Sequence, residues 1–176
     1  MHTSAKAIII KVAVIWFVFA FLHYANDAFP NPVFAFFGEA EGKESIFGHV
    51  KMNFYTYLLV TVGEFLLFRQ KITDLSQFWY TRLLGALIYP WFSLTFWMTG
   101  SALNGGAEPI RPIELSFSLL SNVFAAYLVV RLEQVLDVVH FRKATQWTIL
   151  AFFLMALVQY ISFELKTPWW EYFGSH

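Results

Sequence analysis

EAEGKESIFGHVKMNFYTYLLVTVGEFLLF, residues 39–68, opens as a charged loop and closes as a membrane-grade apolar run. Its ionisable residues stand in awkward places: Glu44, His49 and Lys51 where the run begins, Glu64 near its far end. If 44–68 is one helix, Ser45, His49, Asn53 and Thr56 follow at steps of four, four and three and form a single stripe. Glu64 lies about 60° from His49 around the axis and roughly 22 Å farther along it, on the same broad face. Such a stripe does not face lipid; it turns toward a bundle interior or a water-filled cavity. The stretch therefore predicts an all-α integral membrane bundle with a polar spine.

Composition agrees. Of 176 residues, 58% are hydrophobic, 20% aromatic and only 14% charged, against about a quarter charged in ordinary soluble domains. One soluble core of this size has no room for so much Phe, Trp and Leu, so the surplus is expected to face lipid. The formal net charge is zero, which gives no basic excess for nucleic acid. The absence of cysteine removes disulfides, thiolate metal sites and cysteine nucleophiles.

A span needs roughly 20 mostly apolar residues. Five segments come close: 7–24, 46–68, 83–103, 113–132 and 147–165. The second is short by itself (apolar only from 52), so its helix is expected to begin near Glu44. Pro90 interrupts the third, where it frees a backbone carbonyl and can kink the helix. The first could be mistaken for a signal peptide, but HYANDAFPNP after it offers no small-residue cleavage site, and we read it as a retained span. Short connections and no internal repeat give one domain, 1–176, with no support for an inverted-repeat transporter.

Basic residues set the orientation. Lys6, Lys11, Arg69, Lys71, Arg82, Arg131, Arg142 and Lys143 fall on the N-terminal side, against Lys43, Lys51, Arg111 and Lys166 on the other. The N-terminus is expected in the cytoplasm and, after five spans, the C-terminus outside, in a prokaryotic cell membrane. Residues 131–142, RLEQVLDVVHFR, extend the fourth span. Their Leu132, Val135, Leu136 and Val139 share one face, expected to lie along the interface or lean on the bundle, with His140 an ordinary interfacial residue. Lys51 is expected to snorkel outward. The Trp and Phe residues of YPWFSLTFWMTG are expected to face lipid or anchor the interface.

This orientation splits the spine into two sites. At the outer surface lie His23 and Asp27, Glu44 and His49, Thr99, and Glu114. Two imidazoles with carboxylates suit zinc or another divalent ion, and the same groups can relay protons. The metal candidates are His23, His49 and Glu44, and the catalytic candidates are these with Glu114. No HExxH or HxxxH spacing supports them. Near the cytoplasmic surface, Glu64 and Arg82 share one depth and are expected to form a buried ion pair, since Arg offers a bidentate fork.

ESIFGHVKMNF resembles the signature of an uncharacterised family of prokaryotic polytopic membrane proteins, a domain of unknown function, in which Glu-Ser-x-aromatic-x-His-x-Lys opens the second span. The resemblance runs from about His23 to Leu132. It takes in His23, Glu64, Arg82, Pro90 and the Thr99-Gly100 pair, with Glu114 where an acid is expected. TPWWEYFGSH resembles the family's proline- and aromatic-rich end loosely, and Gly48 stands where an acidic residue is common. The resemblance implies the same topology and the same polar residues, and no reaction.

Three functions are compatible with these residues. The first is a small structural or accessory bundle, with the bilayer, a second copy or a larger membrane complex as partner and the polar residues as interhelical glue. The second is a metal-dependent hydrolase at the outer face, in which a divalent metal activates water against a lipid-like substrate. The third is a path for protons or a small solute along the His49-to-Glu64 stripe.

Overall fold

The computed structural model describes residues 4–38, 45–103, 105 and 111–165. Among them all regular structure is helical: α1 (Ala5–Ala28), α2 (Pro32–Phe37), α3 (Ile46–Phe68), α4 (Leu75–Leu103), α5 (Arg111–Leu136) and α6 (Lys143–Leu165), with one 3-10 turn, Arg69–Lys71. Side-chain caps mark four of the starts. Ser4 Oγ accepts from Ala7 N at 3.3 Å, Asn31 Oδ1 from Val33 N at 2.8 Å, Ser45 Oγ from Gly48 N at 2.8 Å and Asp74 Oδ1 from Gln77 N at 2.9 Å. Each satisfies an amide that the first turn leaves without a helical partner.

Three helical segments, Ala5–Ala28, Pro112–Leu136 and Lys143–Ser162, are long and apolar enough to cross a membrane. Helix α3 is long enough but carries Lys51, Asn53, Thr56, Thr61 and Glu64 buried on its inward faces. Packing explains how it tolerates them. Helices α1, α3, α4 and α5 close a ring by the contacts α1 with α3, α3 with α4, α4 with α5 and α5 with α1. Helix α6 leans on this ring from outside, against α4 and, through Phe153 and Tyr160, against Phe54 of α3. The hydrophobic core buries Ile15, Phe54, Tyr57, Tyr89, Ala125 and Val129, while Trp91, Met98, Phe152 and Met155 point outward.

Helix α4 starts ahead of the apolar stretch 83–103, at Leu75, where Asp74 caps it and its first turns hold the end of α5. It continues through Pro90 to Leu103. In residues 131–142, α5 continues to Leu136 with Glu133 inward at 3% exposure, while of the apolar face Leu132 and Leu136 are half-buried and Val135 and Val139 are exposed. Lys51 does not snorkel: it is 3% exposed, and its ammonium donates to Glu164 Oε2 at 2.5 Å and to the Ala35 carbonyl at 3.3 Å. Helix α2 was not expected, although Asn31-Pro32 is a helix-start signature. Gly38 ends α2 against the backbone of α1, where a Cβ would stand 2.3 Å from the Leu22 carbonyl oxygen.

Candidate functional site

The polar interior is layered. At the end where α1 starts and α3 finishes, five charged side chains from α1, α3, α4 and the end of α5 converge. The Lys11 ammonium donates to Glu64 Oε2 and to Glu133 Oε2, both at 2.6 Å. Arg82 places Nη2 3.3 Å from Glu64 Oε1 and Nε 3.6 Å from Glu133 Oε1, and its Nη1 donates to Asp137. The Tyr57 hydroxyl donates to Glu133 Oε1 at 2.5 Å. Arg82 is 2% exposed, Glu133 3% and Glu64 7%, and the Arg82 guanidinium stacks 4.4 Å from the Phe78 ring centroid.

Local structure delivers each group. Tyr57 and Glu64 are seven residues apart, two turns along one face of α3. Glu133 and Asp137 are one turn apart on α5 and its continuation, and Asp137 N donates to the Glu133 carbonyl at 2.7 Å. Gln77 clasps the turn beyond α5: its Nε2 donates to the Leu136 and Val139 carbonyls at 2.7 and 2.6 Å. Gly85 gives Tyr57 its room, since a Cβ there would lie 2.5 Å from the Tyr57 hydroxyl and 2.7 Å from its ring. Each carboxylate thus has a cation, and each cation bridges at least two carboxylates.

A neutral network sits between the ends. Tyr89 OH donates to Asn122 Oδ1 at 2.7 Å, and Asn122 Nδ2 donates to Asn53 Oδ1 at 2.8 Å and to Ser93 Oγ at 3.4 Å. The Tyr57 and Tyr89 rings, 5.6 Å apart, join this layer to the charged one.

At the other end, α1 and α3 bring His23 and His49 together, with ring centroids 5.2 Å apart. His49 Nδ1 donates to the Ser45 carbonyl at 2.8 Å, which leaves Nε2 with the lone pair in the neutral ring. Phe19 stacks on His23 at 6.0 Å. Glu44 lies outside the described residues. Asp27 is exposed in the last turn of α1, Thr99 bonds back to the Thr95 carbonyl of its own helix, and Glu114 occupies the first turn of α5. Among the described residues no three His, Asp or Glu side chains gather as a metal-ligand set.

The sequence brought out Glu64 and Arg82 but missed Lys11, Tyr57, Glu133 and Asp137. Lys11 read as a flanking charge that sets topology. Glu133 and Asp137 lie off the apolar face that Leu132, Val135, Leu136 and Val139 share, and that face alone sets the helix register in the sequence. Their spacing of four, on the helix end nearest Arg82 in depth, was the available signal. Compared with protein-family models, curated proteins and solved structures, the chain matches none.

Proposed function

We propose that this chain is a five-span membrane protein, N-terminus in the cytoplasm and C-terminus outside, that serves as a structural or accessory bundle. One observation carries the reading. The buried charges of α1, α3, α4 and α5 are spent on one another, which is how interhelical glue uses polar groups. The polar α3 and α4 count as spans because lipid need not touch a ring's inward faces. Eight bases at the cluster end against four at the other support the orientation. We also propose, on the residues of ESIFGHVKMNF alone, kinship with the membrane family that stretch resembles.

Topology is directly testable, because the chain has no cysteine of its own. Asn31→Cys is expected to react with a membrane-impermeant maleimide on intact cells, and Gln70→Cys only after lysis. The reverse pattern overturns the orientation, and labelling of both on intact cells overturns the span count. The accessory role predicts a neighbour in the membrane plane. Met155→Cys, on the exposed face of α6, is expected to cross-link in native membranes to a second copy or to another protein. Monomer alone counts against that role.

The convergence of His23 and His49 favours one second reading, a divalent-metal site at the outer face completed by groups such as Glu44, able to activate water against a lipid-like substrate. Near-stoichiometric zinc, iron or manganese in protein purified without chelator, lost in His49→Ala, supports it. A folded, metal-free sample removes it.

A further inference from the structure

The chain is neutral as a sequence, with 12 bases and 12 acids, but folding sorts these charges unevenly. The cluster end of the bundle holds eight bases and four acids: Lys6, Lys11, Arg69, Lys71, Arg82, Arg131, Arg142 and Lys143 against Glu64, Asp74, Glu133 and Asp137. Three of the four acids turn inward and are consumed by two bases, Lys11 and Arg82. The other six bases are all exposed. The one exposed acid among the described residues of this end is Asp74, which lies 3.9 Å from His140 Nδ1. The visible rim is therefore six positive charges against one negative, far more basic than the composition implies.

The placement of these bases selects the ligand. They stand on separate connections: Lys6 at the start of α1, Arg69 and Lys71 on the 3-10 turn, Arg131 near the end of α5, Arg142 and Lys143 at the start of α6. Spread around a perimeter, they suit many phosphates lying in one plane rather than a single small anion in a pocket. Apolar side chains run up to the same level. Leu66 and Leu67 precede Arg69 on α3 and are 63% and 78% exposed, and Trp147 follows Lys143 and is 67% exposed. Lys71 holds its ammonium 5.8 Å from the Phe68 ring centroid, an apolar stem with its charge at the edge. Bases clustered where apolar helices leave the bilayer attract anionic headgroups, with an effect that salt screens.

We propose that this rim is a binding surface for anionic phospholipid headgroups, built from the six bases that the internal cluster does not use. The inference rests on the bilayer-embedded reading above. The test reconstitutes the natural protein and the variant Arg69→Gln/Lys71→Gln/Arg142→Gln/Lys143→Gln into nanodiscs containing equal phosphatidylglycerol and phosphatidylcholine. Spin-labelled versions of each lipid report how much of each associates with the protein. None of the four substituted side chains belongs to the cluster. The natural protein is expected to hold a several-fold excess of phosphatidylglycerol that falls toward parity in the variant and at high salt. Equal association of the two lipids with the natural protein overturns the proposal, as does an excess that survives both changes. If the variant does not fold, Arg142→Gln/Lys143→Gln and a salt titration of the natural protein decide on the same terms. Failure to enter nanodiscs at all overturns the bilayer reading instead.

Discussion

The charged cluster and the neutral network join the same three helices, α3, α4 and α5, by different means. One layer uses Glu64, Arg82 and Glu133, with Lys11 drawing in α1. The other uses Asn53, Tyr89, Ser93 and Asn122. Both are buried. The difference lies in what remains when a member is removed. A charge left unpaired in a low-dielectric interior costs several kcal/mol, so the cluster resists dismantling one piece at a time. A neutral amide or hydroxyl left unpaired between membrane helices costs about 1 kcal/mol. The first layer therefore specifies which helices assemble and in what register, and the second adds modest adhesion.

The sharpest way to break this contrast is at Arg82, which faces three carboxylates. Arg82→Met leaves Glu64, Glu133 and Asp137 with Lys11 alone. The expected loss is about 3–5 kcal/mol in equilibrium unfolding from mild detergent into increasing SDS fractions. Adding Glu64→Gln to that variant removes one of the stranded charges and is expected to restore part of the loss. If the two substitutions simply add, the cluster is not held by charge pairing and the contrast fails.

A smaller effect is expected where the cluster depends on shape. Gly85→Ala puts a methyl group where the Tyr57 ring and hydroxyl lie. The ring must shift, and its bond to Glu133 breaks. Overpacking of this kind costs about 1–3 kcal/mol. Tyr57→Phe deletes the same hydroxyl, so the combination is expected to cost less than the sum of the two singles in the same unfolding measurement. Full additivity would mean that Gly85 has no part in placing Tyr57.

These residues show what was legible in the sequence and what was not. Helix class, and the three segments apolar enough to cross a membrane, follow from apolar length, a property of each segment alone. Glu64 and Arg82 fell at one depth by counting residues, and the structure puts them 3.3 Å apart. Lys11 was not legible as a cluster member, because a lysine early in an apolar run looks the same whether it flanks the membrane or reaches inward. Glu133 and Asp137 lie off the face shared by Leu132, Val135, Leu136 and Val139, and of that face the valines are exposed and the leucines half-buried. Lys51 was misjudged for a related reason. Its partner Glu164 lies 113 residues away, and no local pattern encodes that meeting. At the end opposite the cluster, the stripe on α3 gave His49 its inward face, but its approach to His23 depends on how α1 crosses α3.

The neutral layer gives the next prediction. Asn122→Ala deletes the acceptor of Tyr89 and the donor to Asn53 and Ser93. The expected loss is about 1 kcal/mol, well below that of Arg82→Met. A loss as large as the Arg82 variant's would make the two layers equivalent and overturn the distinction between them.

Gly63 supplies the smallest effect, of opposite sign. It precedes Glu64 on α3, yet a Cβ there meets nothing within 4 Å. The rotation of about 100° between adjacent helical residues carries it from the cluster face to open space. Gly63→Ala therefore adds no clash, and it removes the conformational cost of glycine in a helix interior. A gain of about 0.5–1 kcal/mol is expected in the same unfolding measurement. Gly85→Ala, the identical substitution on a face that packs against Tyr57, has the opposite sign. A loss at Gly63 would mean that its face packs closely against another chain in the membrane. The α3 surface on that side would then be an interface rather than open.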